Sequence, residues 1–121
     1  MADIVKSSKQ LNKIKGRIGE EQATKFLQEI GYKIIKRNFK TKIGEIDIIA
    51  KDFDRIVFVE VKKKETSRFG MPREMVTIKK QNTIKKVAEL YLKITNNLGA
   101  KTRFDVVEIL AENITHIKSA F

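Results

Sequence analysis

Gly44-Glu45-Ile46-Asp47-Ile48-Ile49-Ala50 and Ile56-Val57-Phe58-Val59-Glu60-Val61-Lys62 decide the reading of this chain. Both runs are rich in β-branched residues, and each carries charge where a buried strand should carry none. Asp47 sits among isoleucines, and Glu60 and Lys62 sit among valines. An ionised group buried without a partner is costly, so such residues imply a compensating ligand or a structural pair. The run Lys51-Asp52-Phe53-Asp54-Arg55 between them has the length and polarity of a hairpin loop. Symmetric pairing about residues 53 and 54 sets Asp47 opposite Glu60. Side chains alternate along a strand, so Glu60 and Lys62 share one face while Val59, Val61 and Lys63 share the other. Two carboxylates and an ammonium then converge on one patch of sheet, a candidate metal site. The register carries this reading, since a one-residue slip reverses every side chain.

Composition narrows the class. At 121 residues with 41% hydrophobic content, the chain is expected to fold as one domain with its own core. No run approaches the ~18–20 apolar residues of a membrane span. Residues 1–9 have no apolar core of a signal peptide, so no export is expected and the cytoplasm is the simplest address. The absence of cysteine excludes disulfides and thiolate metal sites. Lys and Arg number 26 against 15 Asp and Glu, a net charge of +11 and a pI near 9.9. That balance favours a polyanion as partner, nucleic acid first and a membrane surface last. The plainer alternative is a lysine-rich surface that keeps the protein soluble.

Taken in order, residues 1–14 read as a flexible basic N-terminal arm and 15–121 as a single domain. A helix is expected from Lys15 to Ile30, with Ala23, Phe26, Leu27 and Ile30 on one stripe. Gly16 and Gly19 fall on the same stripe, and Gly31 follows as its stop. Glu20 projects at the edge of that stripe, whereas Glu21 points away from it. Two readings of Glu20 stand: an acid reaching into the site, or a boundary salt bridge. Tyr32 to Phe39 reads as a strand, followed by the two opening runs. Residues 63–76 read as a basic loop punctuated by Gly70 and Pro72. A second helix runs from Ile78 to Asn97, capped by Thr77, with Ile84, Val87, Ala88, Tyr91, Ile94 and Leu98 as its buried stripe. Lys80 in its first turn faces inward, either toward the site or as a lysine whose stem covers apolar surface. Phe104 to Leu110 is a further strand, and Ile114 to Phe121 an edge strand or terminal turn.

The expected fold is therefore α/β: an antiparallel meander in a mixed sheet, flanked by helices in the order αβββαβ. Asp and Glu-x-Lys on consecutive strands suit metal-dependent phosphodiester cleavage. Mg²⁺ or Mn²⁺ takes oxygen ligands, which Asp47, Glu60 and the backbone carbonyl of Val61 can supply. Lys62 would orient the water or neutralise charge at the phosphate. The candidate phosphate contacts are Arg17, then Lys63, Lys64 and Arg68 of the basic loop, then Lys79 and Lys80. Other chemistries lack material. His116 is the only histidine and reads as a surface or strand-edge residue without partners. Asp105 reads as a structural ion pair with Arg103. No Gly-rich phosphate loop is present.

The motifs Gly16-Arg17-Ile18-Gly19-Glu20-Glu21-Gln22-Ala23, Gly44 to Ala50, Val57 to Lys62, Val76 to Gln81, Arg103 to Val107 and Ile117 to Phe121 resemble the YraN-like family of small bacterial proteins. The resemblance runs in order from about residue 15. It implies the restriction-endonuclease-like PD-(D/E)xK fold and a relationship to archaeal Holliday-junction resolvases. By position, Glu20 matches the helix acid, Asp47 the metal aspartate, Glu60 and Lys62 the E-x-K pair, and Lys80 the second-helix lysine. This chain departs in having Lys64 where Arg is common after the E-x-K, a point charge in place of a fork. It also has Gly19 where Ala commonly precedes the helix acid. The implied activity is Mg²⁺- or Mn²⁺-dependent cleavage of DNA, branched or flapped structures included, and the related resolvases imply a homodimer. The alternative from another class is a non-catalytic nucleic-acid-binding protein, associated with RNA or the ribosome, that keeps the fold.

Overall fold

The computed structural model describes residues 7–64 and 76–121. Its elements are α1 (Ser8–Glu29), β1 (Lys33–Lys40), β2 (Glu45–Asp52), β3 (Arg55–Lys64), α2 (Ile78–Ile94), β4 (Lys101–Leu110) and β5 (Asn113–Ile117). The strands form one mixed sheet in chain order. β1, β2 and β3 make the antiparallel meander, α2 crosses over to set β4 parallel to β3, and β5 returns antiparallel at the far edge. This is the αβββαβ order of the restriction-endonuclease-like fold, extended by β5.

Alternation along β3 splits the core between the two faces. Ile56 and Phe58 pack with Ile84, Val87, Ala88 and Tyr91 of α2. Val57 and Val59 pack with Ala23 and Leu27 of α1. α2 follows its expected stripe as far as Tyr91, and Thr77 caps it by accepting the Lys80 N–H at 3.1 Å. The stripe ends there. Ile94 and Leu98 are exposed: the helix stops at Ile94, so Leu98 is no longer on its stripe.

Several boundaries differ from the expected ones; α2 ends at Ile94 instead of Asn97 and β4 begins at Lys101 instead of Phe104, and three other differences have a local reason. α1 begins at Ser8 rather than Lys15. Ser7 and Gln10 form a capping box that satisfies the first free N–H groups without any apolar stripe. Lys63 and Lys64 belong to β3 and not to a loop, because the parallel ladder with β4 runs on to Lys64 opposite Leu110. Residues 51, 52 and 55 are likewise strand, which leaves Phe53 and Asp54 as the turn. Arg68 lies outside the described residues.

Glycines set the two helix–sheet distances. A Cβ on Gly19 would stand 3.2 Å from Lys63 Cβ, so α1 lies close on β3 there. Gly16, expected to share that contact, meets nothing within 4 Å and is exposed. Gly44 is the tighter case: its Cβ would stand 2.7 Å from Thr83 Cγ2 of α2. Thr83 is β-branched on a helix and has little rotamer freedom to yield. Gly44→Ala is expected to cost about 1–3 kcal/mol in urea denaturation. A melt unchanged from wild type would show that α2 does not rest on the β1–β2 connection.

Candidate metal site

β2 and β3 pair from Asp52 opposite Arg55 to Ile48 opposite Val59. The symmetric hairpin would set Asp47 opposite Glu60 at the next step. The backbone ladder ends short of that step. Asp47 Oδ2 instead accepts the Val61 N–H at 2.8 Å, so a side chain takes over from a backbone carbonyl. Val61, expected as a carbonyl ligand, is thereby tied directly to the aspartate. Glu60 continues the Ile56–Phe58 face toward α2 and is buried. Its Oε1 meets Lys80 Nζ at 3.2 Å and Lys62 Nζ at 3.8 Å. The inward turn expected of Lys80 is thus realised, and its ammonium reaches the glutamate from the first turn of α2.

Electrostatics tie these groups together. Burial pushes the Asp47 carboxyl up, and the charge of Glu60 adds to it, overcoming the Val61 N–H and reaching about 7. Glu20 contributes in the same direction, which brings α1 into the electrostatic reach of the site. Burial alone would lower the Lys80 ammonium. The charge and hydrogen bond of Glu60, with Asp47 and Glu45 behind, more than reverse that and hold it above its ordinary value. Glu21 pairs with Arg37 at 3.0 Å and stays largely in solvent, as expected.

The expected phosphate contacts divide. Arg17 is exposed on α1 and Lys79 on α2. Lys63 lies on the α1 side of the sheet, where its Nζ donates to Gln22 Oε1 at 2.7 Å. Lys64 acts on Glu108, an acid the sequence reading passed over. Glu108 stands opposite Lys62 in the β3–β4 ladder, is buried, and has its carboxyl raised chiefly by that burial. The signal was present: Phe104, Val106 and Glu108 alternate onto one face.

His116 corrects an expectation. It lies on the edge strand β5, but its ring is buried between Phe26 and Tyr32, with centroids 5.9 and 5.7 Å away. Its Nε2 donates to Asp105 Oδ2 at 2.7 Å, the carboxylate being able only to accept. Asp105 is the ion-pair partner of Arg103 that the sequence suggests, held by the guanidinium through two bonds of 2.8 Å. Arg103 also reaches Asp52 at 3.0 Å and the Tyr32 hydroxyl at 2.6 Å. This buried node lies on the α1 side of the sheet, whereas Glu60 points to the α2 side.

With the geometry in hand, the family model that matches residues 19–109 is that of the uncharacterised protein family UPF0102. The chain belongs to the UPF0102 family. A UPF0102 protein of Syntrophomonas wolfei is 47% identical over 92% of this chain and 100% of its own length. One of Clostridioides difficile is 49% identical over 91% and 98%. One of Persephonella marina is 45% identical over 89% and 93%. The UPF0102 match spans Glu20, Asp47, Glu60, Lys62 and Lys80, so every candidate catalytic residue lies within the family's own extent.

Proposed function

We propose that this UPF0102 protein is a Mg²⁺- or Mn²⁺-dependent nuclease that hydrolyses phosphodiester bonds of DNA, branched or flapped DNA included. The observation that carries the reading is the buried Glu60 beside Lys62 and Lys80, with the Asp47 carboxyl nearby raised by burial and then by the charge of Glu60.

The donor set fits a hard divalent ion. Asp47, Glu60 and the Val61 carbonyl offer oxygens only, and Mg²⁺ is commonly held by one or two carboxylates with water and substrate phosphate completing the shell. Among the described residues no group of three or more His, Cys, Asp or Glu side chains is placed to hold a metal ion, so the set rests on two carboxylates and one carbonyl. Two like charges compressed together also gain from a cation between them. When bound, such an ion polarises the phosphate and lowers the pKa of a coordinated water. Asp47 and Glu60 would orient the ion, with the Val61 N–H fixing the aspartate. Lys62, two residues along the same face from Glu60, would place its ammonium against the phosphate as charge builds there. Lys80 remains protonated and screens Glu60. Glu20 adds negative charge from the α1 side.

One observation favours the non-catalytic reading: Lys62 and Lys80 already neutralise Glu60, and an ion pair needs no metal. Calorimetric titration with Mn²⁺ separates the two. A nuclease should show a site that is lost in Asp47→Asn, and should cut linear, flap or four-way DNA in a metal-dependent way that Lys62→Met abolishes. A protein that binds DNA with steep salt dependence but binds no Mn²⁺ is the non-catalytic form.

A further inference from the structure

We infer that α1 and the edge strand β1 form a track for the backbone of one strand of a DNA duplex, leading to the candidate metal site. The inference rests on the nuclease reading above for its direction, and on the following geometry for its existence.

None of residues 8–18 is buried; the first buried position of α1 is Gly19. This stretch, about 16 Å of helix, therefore forms a projection with no buried side chain. This projection carries Lys9, Lys13, Lys15 and Arg17 and no acid. Between it and β1 lies a groove of about 440 Å³, lined by Lys13, Gly16 and Arg17 on the helix side and Asn38 and Lys40 on the strand side. Glu20 and Glu45 complete the lining. These two acids mark the end nearest the site, since Glu20 acts on Asp47 and Glu45 on Lys80. A path lined by cations thus ends in carboxylates, the order a phosphate backbone approaching a bound divalent ion requires.

Two details shape the occupant. Among the described residues no aromatic side chain lines the groove. Proteins that hold single strands use aromatic platforms to stack bases, so this groove suits phosphates and sugar and reads no sequence. Its volume takes a short length of one backbone, leaving the partner strand outside. Gly16 leaves the groove floor open, and Asn38 lines the opposite wall from a left-handed backbone (φ 54) that asparagine tolerates better than most residues.

Binding of a fluorescein-labelled 20-base-pair DNA duplex, measured in EDTA over a salt series, tests this without metal or cleavage. Lys13→Glu/Lys40→Glu should weaken binding at least tenfold and flatten the salt dependence by about two contacts. The control pair Lys51→Glu/Lys118→Glu changes net charge equally and should stay within about threefold. Gly16→Leu should bind more weakly yet melt higher, because its Cβ meets nothing and helix propensity rises. Gly16→Ala should gain the stability and keep the binding. Equal losses in both charge pairs, or tighter binding of a single strand than of the duplex, would overturn the track. Wild-type cleavage with groove-independent binding sinks the track alone. Groove-dependent binding without metal-dependent cleavage sinks the nuclease reading alone.

Discussion

Asp47→Asn should raise the melting temperature of the metal-free protein at pH 8 while abolishing Mn²⁺ binding and cleavage. The folded Asp47 carboxyl lies near 7 against an ordinary value of 3.8, because burial and the charge of Glu60 disfavour its ionised form. Between those values the native protein holds a proton that the unfolded chain has released. The favourable contribution is therefore complete below about pH 4 and is lost as pH rises through 7. Asparagine removes the ionisation and still offers an oxygen to the Val61 N–H. The expected gain at pH 8 is on the order of 1–3 kcal/mol, roughly 5–15 °C. The difference should shrink as pH falls and nearly vanish only below about pH 4. The same proton competes with metal, so wild-type Mn²⁺ affinity should rise about tenfold per pH unit up to 7 and level off above it. A variant less stable than wild type at pH 8 would mean that Asp47 and Glu60 are not in conflict, and the case for a cation between them would fall.

Removing Arg103 should cost more than any other single change considered, about 3–5 kcal/mol in Arg103→Ala. The guanidinium joins the start of β4 to Asp52 at the end of β2 and to Tyr32 ahead of β1. Its loss leaves Asp105, which has no exposure, with only His116 and the Ser119 N–H as partners among the described residues. Burial alone would raise the Asp105 carboxyl; hydrogen bonds from His116, Arg103 and the Ser119 N–H hold it below its ordinary value instead. A depressed carboxyl contributes stability above its unfolded value and loses it as pH falls through the folded one. Wild type should accordingly lose this contribution below about pH 4. Urea denaturation of Arg103→Ala, Asp105→Ala and the double variant measures the coupling, and the double should cost clearly less than the two singles added. A single-variant cost below about 1 kcal/mol would mean that His116 and Ser119 suffice to hold Asp105.

The β2–β3 pairing was legible because hairpin symmetry fixes its register, which holds from Asp52 opposite Arg55 to Ile48 opposite Val59. Thr77 was legible as a cap and α2 as an amphipathic helix as far as the sheet supports it. What escaped were features that periodicity does not encode. The first turns of α1 carry no buried stripe and are started by the Ser7–Gln10 capping box. Lys63 and Lys64 look like loop residues until β4 supplies a parallel partner from 46 positions away (Lys64 at 64, Leu110 at 110). His116 lacks neighbours in sequence, yet β5 lies beside β4 and brings it to Asp105. The groove joins Lys13 to Lys40, two cations with nothing in the local pattern to associate them.

The order in which this chain folds follows from where the β2–β3 ladder stops. A hairpin with a two-residue turn can zip in microseconds, long before α2 and β4 arrive. Zipping upward from Asp52 and Arg55, it gains apolar pairs until Ile48 meets Val59, and then brings the charge of Glu60 to bear on Asp47. Like charges brought together across a strand pair destabilise it. The upper end of the hairpin therefore gains little until the chain has run on through residue 80, when Lys80 comes over Glu60, and through residue 106, when Val106 pairs beside it. The candidate site is a late-closing part of the molecule, assembled on a sheet whose lower half is already formed.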